Sequence, residues 1–145
     1  MKIKALGHVV LHVSNRDRAE KFYNGVLGLP ICARLDQRGA PKMTFFSLGN
    51  HHDFAVMEVG EGRVKSETSG LAHVAFNVGT SDDELRAARD KLAAAGVEPV
   101  PIDHEVSHSL YFADPDGNGV ELYVDASDSW RKDPQRVAQI KPLAL

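Results

Sequence analysis

Leu6-Gly7-His8-Val9-Val10-Leu11-His12-Val13 returns as Leu71-Ala72-His73-Val74-Ala75-Phe76-Asn77-Val78, with the two histidines 73 − 8 = 65 positions apart. Both stretches alternate in the two-residue period of a strand. In the first, Val9, Leu11 and Val13 share one face, and His8, Val10 and His12 share the other. An internal repeat that delivers two equivalent histidines is what a metal site built between two matching halves requires.

The surrounding pattern repeats too. After the strand at 3–13, Ser14-Asn15 caps a helix whose apolar residues Ala19, Phe22, Tyr23, Val26 and Leu27 fall at helical spacing. Gly28 and Pro30 stop it. Strands follow near 31–36, 42–48 and 54–59, separated by Gly39-Ala40-Pro41 and Gly49-Asn50. The polar stretch from Gly60 to Gly70 reads as a linker, and the order then restarts. Strand 71–78 leads to the capping box Ser81-Asp82-Asp83-Glu84, and Leu85, Ala88, Leu92 and Ala95 form a buried stripe before Gly96. Strands near 97–102, 108–113 and 119–124 complete the second half, the last two joined by the turn Asp114-Pro115-Asp116-Gly117-Asn118-Gly119.

The expected fold is therefore α+β, with two tandem βαβββ modules at 1–64 and 69–126. Set side by side they form a curved, eight-stranded mixed sheet with a concave metal-binding groove. One domain spans 1–126, and residues 127–145, with Trp130 and Pro134, form a tail outside the repeat that folds over the groove or a partner subunit.

Bulk properties exclude several classes. A chain of 145 residues fits one domain, and 43% hydrophobic with 26% charged residues is ordinary for a soluble globular protein. A net charge of −3 gives no electrostatic case for nucleic acid or for an anionic membrane. No apolar run approaches the ~20 residues needed to span a bilayer. Met1-Lys2-Ile3-Lys4 leads into a strand without the apolar core of a signal peptide, and the single Cys32 suits a reducing compartment. The expectation is a cytoplasmic protein.

A metal needs converging donors. On the last strand Glu121 and Tyr123 share a face. If that face is concave, Glu121 joins His8 and His73. Two imidazoles and a carboxylate with open positions suit non-haem Fe(II) or the chemically similar Mn(II), and are also compatible with Zn(II) or Ni(II).

These residues resemble the vicinal oxygen chelate superfamily, which contains glyoxalases, extradiol ring-cleaving dioxygenases, fosfomycin- and bleomycin-resistance proteins and some epimerases. The resemblance covers about residues 3–124. It is carried by Gly7-His8-Val9, Phe22-Tyr23 with Leu27-Gly28-Leu29, Ala72-His73-Val74, and Tyr111 to Leu122. Metal-dependent glyoxalases of this superfamily generally take a ligand from each of the two last strands. Here Ala55 stands where Glu121 stands, at nearly the same interval after its histidine (55 − 8 = 47; 121 − 73 = 48). Glu58, three positions on, is out of register. Three ligands leave room for a bidentate diol and dioxygen, so the resemblance runs closest to single-domain extradiol dioxygenases.

That resemblance implies roles for further residues. His52-Asp53-Phe54-Ala55-Val56 looks like the segment whose histidine serves dioxygen, and Tyr111 matches the family's active-site tyrosine. His104-Glu105-Val106-Ser107-His108 resembles a second histidine segment. The interval from His108 to Tyr111 is shorter than in catechol-cleaving members. It leaves open which of His104 and His108 enters the pocket, with His104 favoured as catalytic. His12, His108 and Tyr123 are candidates for lining the substrate groove. The implied partners are a small aromatic diol and O2, with no nucleic acid or membrane, in a homodimer or higher homo-oligomer. The competing readings are a glyoxalase-like isomerase, lyase or epimerase, and a resistance-type protein that binds small molecules.

Overall fold

Each histidine of the repeat stands one residue ahead of a parallel ladder. The computed structural model describes residues 5–49, 51–61 and 71–145, which divide into two units. The first runs to residue 70 and includes the turn Pro115–Gly117; the second takes Leu71–Asp114 and the chain from Asn118. The linker reading at Gly62–Gly70 and the start of the first strand at Ile3-Lys4 lie outside the described residues.

In the first unit β1 (Val9–Val13) pairs in parallel with β4 (Phe54–Glu58), which pairs antiparallel with β3 (Met43–Phe46) and through it with β2 (Ile31–Leu35). β1 begins later than its alternation suggests, because Val9 is the first residue with a partner on β4, Phe54. The covering helix is α1 (Arg16–Glu20), capped by the Asn15 side chain on the Arg18 amide. Where helical spacing predicts a continuous α-helix to Leu27, the chain widens to a π-helix over Lys21–Val26. That wide turn delivers Phe22 and Tyr23 to the core, and Leu29 N–H closes on the Tyr23 carbonyl at 2.9 Å. Tyr23, fully buried, packs against Phe54 and Phe46 at ring separations of 4.7 and 6.1 Å. Burying such rings is the main stabilising term here, roughly 2–3 kcal/mol each. Glu20 fixes α1 to the sheet by accepting from Thr44 Oγ1 and from Arg34.

The second unit repeats the plan. β5 (Val74–Gly79) pairs in parallel with β8 (Gly119–Asp125), followed by β7 (Ser107–Ala113) and β6 (Val100–Asp103). α2 (Asp82–Ala94) starts with the expected capping box, Ser81 and Glu84 each bonding the other's backbone, and buries Leu85 and Leu92. A ninth strand is new. β9 (Lys141–Pro142) adds to the outer edge of β6, opposite Asp103 and Ile102. No helix among the described residues is long and apolar enough to cross a membrane.

One glycine sets the spacing between β5 and β8. A Cβ on Gly119 would lie 2.2 Å from the Ala72 carbonyl oxygen and 3.1 Å from the His73 Cβ. Backbone cannot yield as a side-chain tip can, so Gly119→Ala must push the strands apart beside His73. Overpacking of this kind costs about 1–3 kcal/mol, and urea unfolding of the variant is expected to show a loss in that range.

Candidate functional site

In each sheet the strand alternation sorts residues onto a helix-covered face and an opposite face. In the second unit Leu110, Val120, Leu122 and Val124 are buried. Tyr111 lies directly opposite Glu121 across β7–β8, and Ser109 opposite Tyr123. Glu121 is only 7% exposed. Its carboxylate accepts a 2.6 Å hydrogen bond from Ser109 Oγ, and His73 Nε2 lies 3.1 Å from its other oxygen. Tyr111 packs edge-on against His73 at 5.4 Å, and its hydroxyl is 3.0 Å from His104 Nε2. Four of the predicted residues, His73, Glu121, Tyr111 and His104, thus form one cluster. Ser109 joins them unforeseen, although it sits one alternation step from Tyr111 and could have been found by projecting the strand.

Burial pushes the Tyr111 phenol up to about 12, and the neighbouring Glu121 carboxylate adds to the shift while Ser109 opposes it. A carboxylate this buried is costly when its partners are the Ser109 and Tyr111 hydroxyls and one imidazole. A cation bound by Glu121 and His73 would relieve that cost, and this donor chemistry fits a divalent metal. Among the described residues no three His, Cys, Asp or Glu side chains of either unit converge into a ready-made cluster; the second unit supplies two donors.

His8, His12 and Val10 are exposed on β1 or just ahead of it, while Leu11 and Val13 are buried. His52, just before β4, packs on the His8 ring at 4.3 Å and edge-on against Phe45 at 5.3 Å. Partial burial and the adjacent His8 and His51 rings hold its pKa below the usual imidazole range. The register defines the repeat's symmetry and where it breaks. Val10 pairs with Ala55 as Ala75 pairs with Glu121, and Phe45 opposes Ala55 as Tyr111 opposes Glu121. Ala55 is fully buried. Glu58 turns to the helix side and accepts from the Arg16 amide at 2.9 Å.

His108 does not join the cluster. It alternates with Tyr111, lies beside the buried Leu110, and its Nδ1 is 2.5 Å from Asp82 at the start of α2. Its expected place in the substrate groove is not where the strand puts it. Tyr123 shares a face with Glu121, two residues on.

The sequence matches the Glyoxalase/Bleomycin resistance protein/Dioxygenase superfamily over residues 5–122. The chain belongs to that superfamily. It is 36% identical over 128 residues to biphenyl-2,3-diol 1,2-dioxygenase 3 of Rhodococcus globerulus, covering 83% of this chain and 63% of the relative. It is 28% identical to catechol-2,3-dioxygenase of Bacillus subtilis, covering 88% of this chain and 44% of the relative. The chain thus spans about half to two thirds of the length of these dioxygenases. It is also 30% identical to glutathione transferase FosA of Serratia marcescens over 84% of this chain and 82% of that one. A glyoxalase/bleomycin resistance/dioxygenase domain from Frankia superposes with a TM-score of 0.72 at 22% identity, covering 86% of this chain and all of that one.

The raised phenol of Tyr111 has a measurable sign. Above its unfolded pKa near 10 the folded, metal-free protein keeps a proton that the unfolded chain has lost. Stability is then expected to fall between pH 10 and about 12. Urea unfolding across that range checks it, with Tyr111→Phe losing this part of the slope.

Proposed function

We propose that the chain is an extradiol ring-cleaving dioxygenase, in which His8, His73 and Glu121 hold one Fe(II) or Mn(II) ion. One observation carries the reading. The position equivalent to Glu121 in the other unit is a buried methyl group, Ala55, and Glu58 serves the α1 backbone instead. The donor set is then two imidazoles and one carboxylate, leaving positions for a bidentate diol and O2. The likeness to the biphenyl-diol dioxygenase supports the same substrate class.

When bound, the ion supplies Lewis acidity and a template for the two vicinal oxygens of the ring. The chain's own residues handle protons and shape. Tyr111, neutral at working pH because burial raises its pKa, accepts a hydrogen bond from a ring hydroxyl, and His104 behind it takes up the displaced proton. His52, its pKa held below the usual imidazole range, is neutral at working pH and offers a ring N–H as a hydrogen-bond donor to oxygen bound beside the diol. Phe45, Met43 and Met57 share one face of the first sheet with the buried Ala55 and offer an apolar surface to an aromatic ring. The ring opens beside the diol, giving a coloured muconic semialdehyde-type product.

A second reading has its own support. The chain covers 82% of FosA and 95% of a probable lactoylglutathione lyase of Synechocystis, at 30% and 27% identity, a better match in length than the dioxygenases give. An isomerase, lyase or transferase would act without oxygen.

Protein purified anaerobically and loaded with Fe(II) is expected to consume O2 with mono- or bicyclic catechols and to generate the coloured product. No uptake across the panel overturns the dioxygenase reading, and oxygen-independent turnover of a thiol adduct favours the second. Glu121→Gln is expected to lower bound metal at least about tenfold, read by elemental analysis. Full retention of metal would remove Glu121 from the ligand set.

A further inference from the structure

The β6–β7 connection that carries His104 is held from outside by the C-terminal segment. Glu105 there adopts φ 67°, a left-handed conformation that residues other than glycine seldom take. The turn closes on itself through Glu105 N–H to Asp103 Oδ1 at 2.6 Å and Val106 N–H to the His104 carbonyl at 2.8 Å. Three contacts then come from the tail. Arg136 donates to the Glu105 carboxylate, β9 pairs with Ile102 and Asp103, and the Gln139 carbonyl lies 2.7 Å from His104 Nδ1. Arg89 of α2 anchors the end of the tail by donating to the Leu145 carbonyl at 2.6 Å.

A carbonyl has no proton to give, so His104 Nδ1 must be the N–H. In the neutral ring Nε2 then bears the lone pair, and it faces Tyr111 Oη at 3.0 Å. The Tyr111 phenol has one proton and two acceptors in reach, His104 Nε2 and the Glu121 carboxylate. The ring tautomer decides between them. With Nδ1–H fixed, the phenol points its proton to His104 and keeps a lone pair for a substrate hydroxyl. With Nε2–H, the imidazole would donate to the phenol and turn the phenolic proton toward Glu121, competing with the cation proposed there.

We propose that residues 136–142 are a positioning element that fixes the Nδ1–H tautomer of His104, through the Gln139 carbonyl and the Arg136–Glu105 ion pair, and thereby aims the Tyr111 proton away from Glu121. The functional consequence rests on the dioxygenase reading above; the tautomer does not. The segment acts through His104 and touches no reacting atom.

The test is long-range 1H–15N correlation on the full chain labelled with 15N-histidine, with His104 assigned by the signals missing from His104→Gln. The expected spectrum has Nδ1 protonated and Nε2 bare. Ending the chain after Gln135 is expected to move His104 to the Nε2–H form or to a mixture. Arg136→Ala is expected to shift it part of the way, and Arg136→Lys to restore it. With a catechol that supports O2 uptake, kcat should fall about tenfold or more on truncation while KM changes little. If truncation unfolds the chain, the Arg136→Ala and Arg136→Lys pair decides. A wild-type Nε2–H tautomer, or an Nδ1–H tautomer unmoved in the folded tail variants, overturns the proposal. Failure of O2 uptake with the tautomer response intact removes the dioxygenase reading and leaves the positioning role standing.

Discussion

In each unit the first strand pairs in parallel with the fourth, and His8, Ala55, His73 and Glu121 take their places from that ladder. Parallel strands cannot be joined by a tight turn, and here a helix and two further strands make the connection. The ladder then begins one residue after each histidine, at Val9 opposite Phe54 and at Val74 opposite Val120. Register fixes what stands diagonally across from the histidine on the last strand. In one unit that residue is Glu121 and in the other Ala55. Gly119 maintains the spacing, since any side chain there meets the Ala72 backbone.

The repeat conserves geometry while the chemistry diverges. Tyr111, Glu121, Ser109 and Tyr123 in the second sheet correspond by register to Phe45, Ala55, Met43 and Met57 in the first. One face carries hydroxyls and a carboxylate, and its counterpart carries methyl, thioether and phenyl groups. The same backbone thus provides a surface for protons and charge in one unit and a surface for apolar contact in the other. On the helix-covered side the two units stay alike, with Phe54, Val56, Leu110 and Val120 all fully buried or nearly so.

Much of this was legible in the sequence, for a physical reason. Alternation of apolar residues reports which side chains a sheet buries, so the strands, the His8–His73 equivalence and the odd position of Ala55 could be read from spacing. Capping reports helix starts, and Asn15 and Ser81 both cap as expected. Other features are held by interactions with no periodic signature. The tail strand Lys141–Pro142 pairs through backbone alone and contains a proline, which strand patterns disfavour. The Gln139 carbonyl acts on His104 independently of its side chain. His108 lies against Asp82 at the start of α2, and two histidines four apart across a turn fit either face until the register of β7 is known.

The wide turn at Lys21–Val26 also bears on how the chain tolerates changes in length. A π-helical turn is an α-helix carrying one extra residue, so loss of one residue there could be absorbed by reverting to α geometry, with Gly28 still ending the helix. The same loss inside α2 would have no slack to draw on. It would rotate Leu92 by roughly 100° relative to Leu85 and take one of the two leucines off the sheet. The first helix can therefore lose a residue, while the second is fixed in length by its buried stripe.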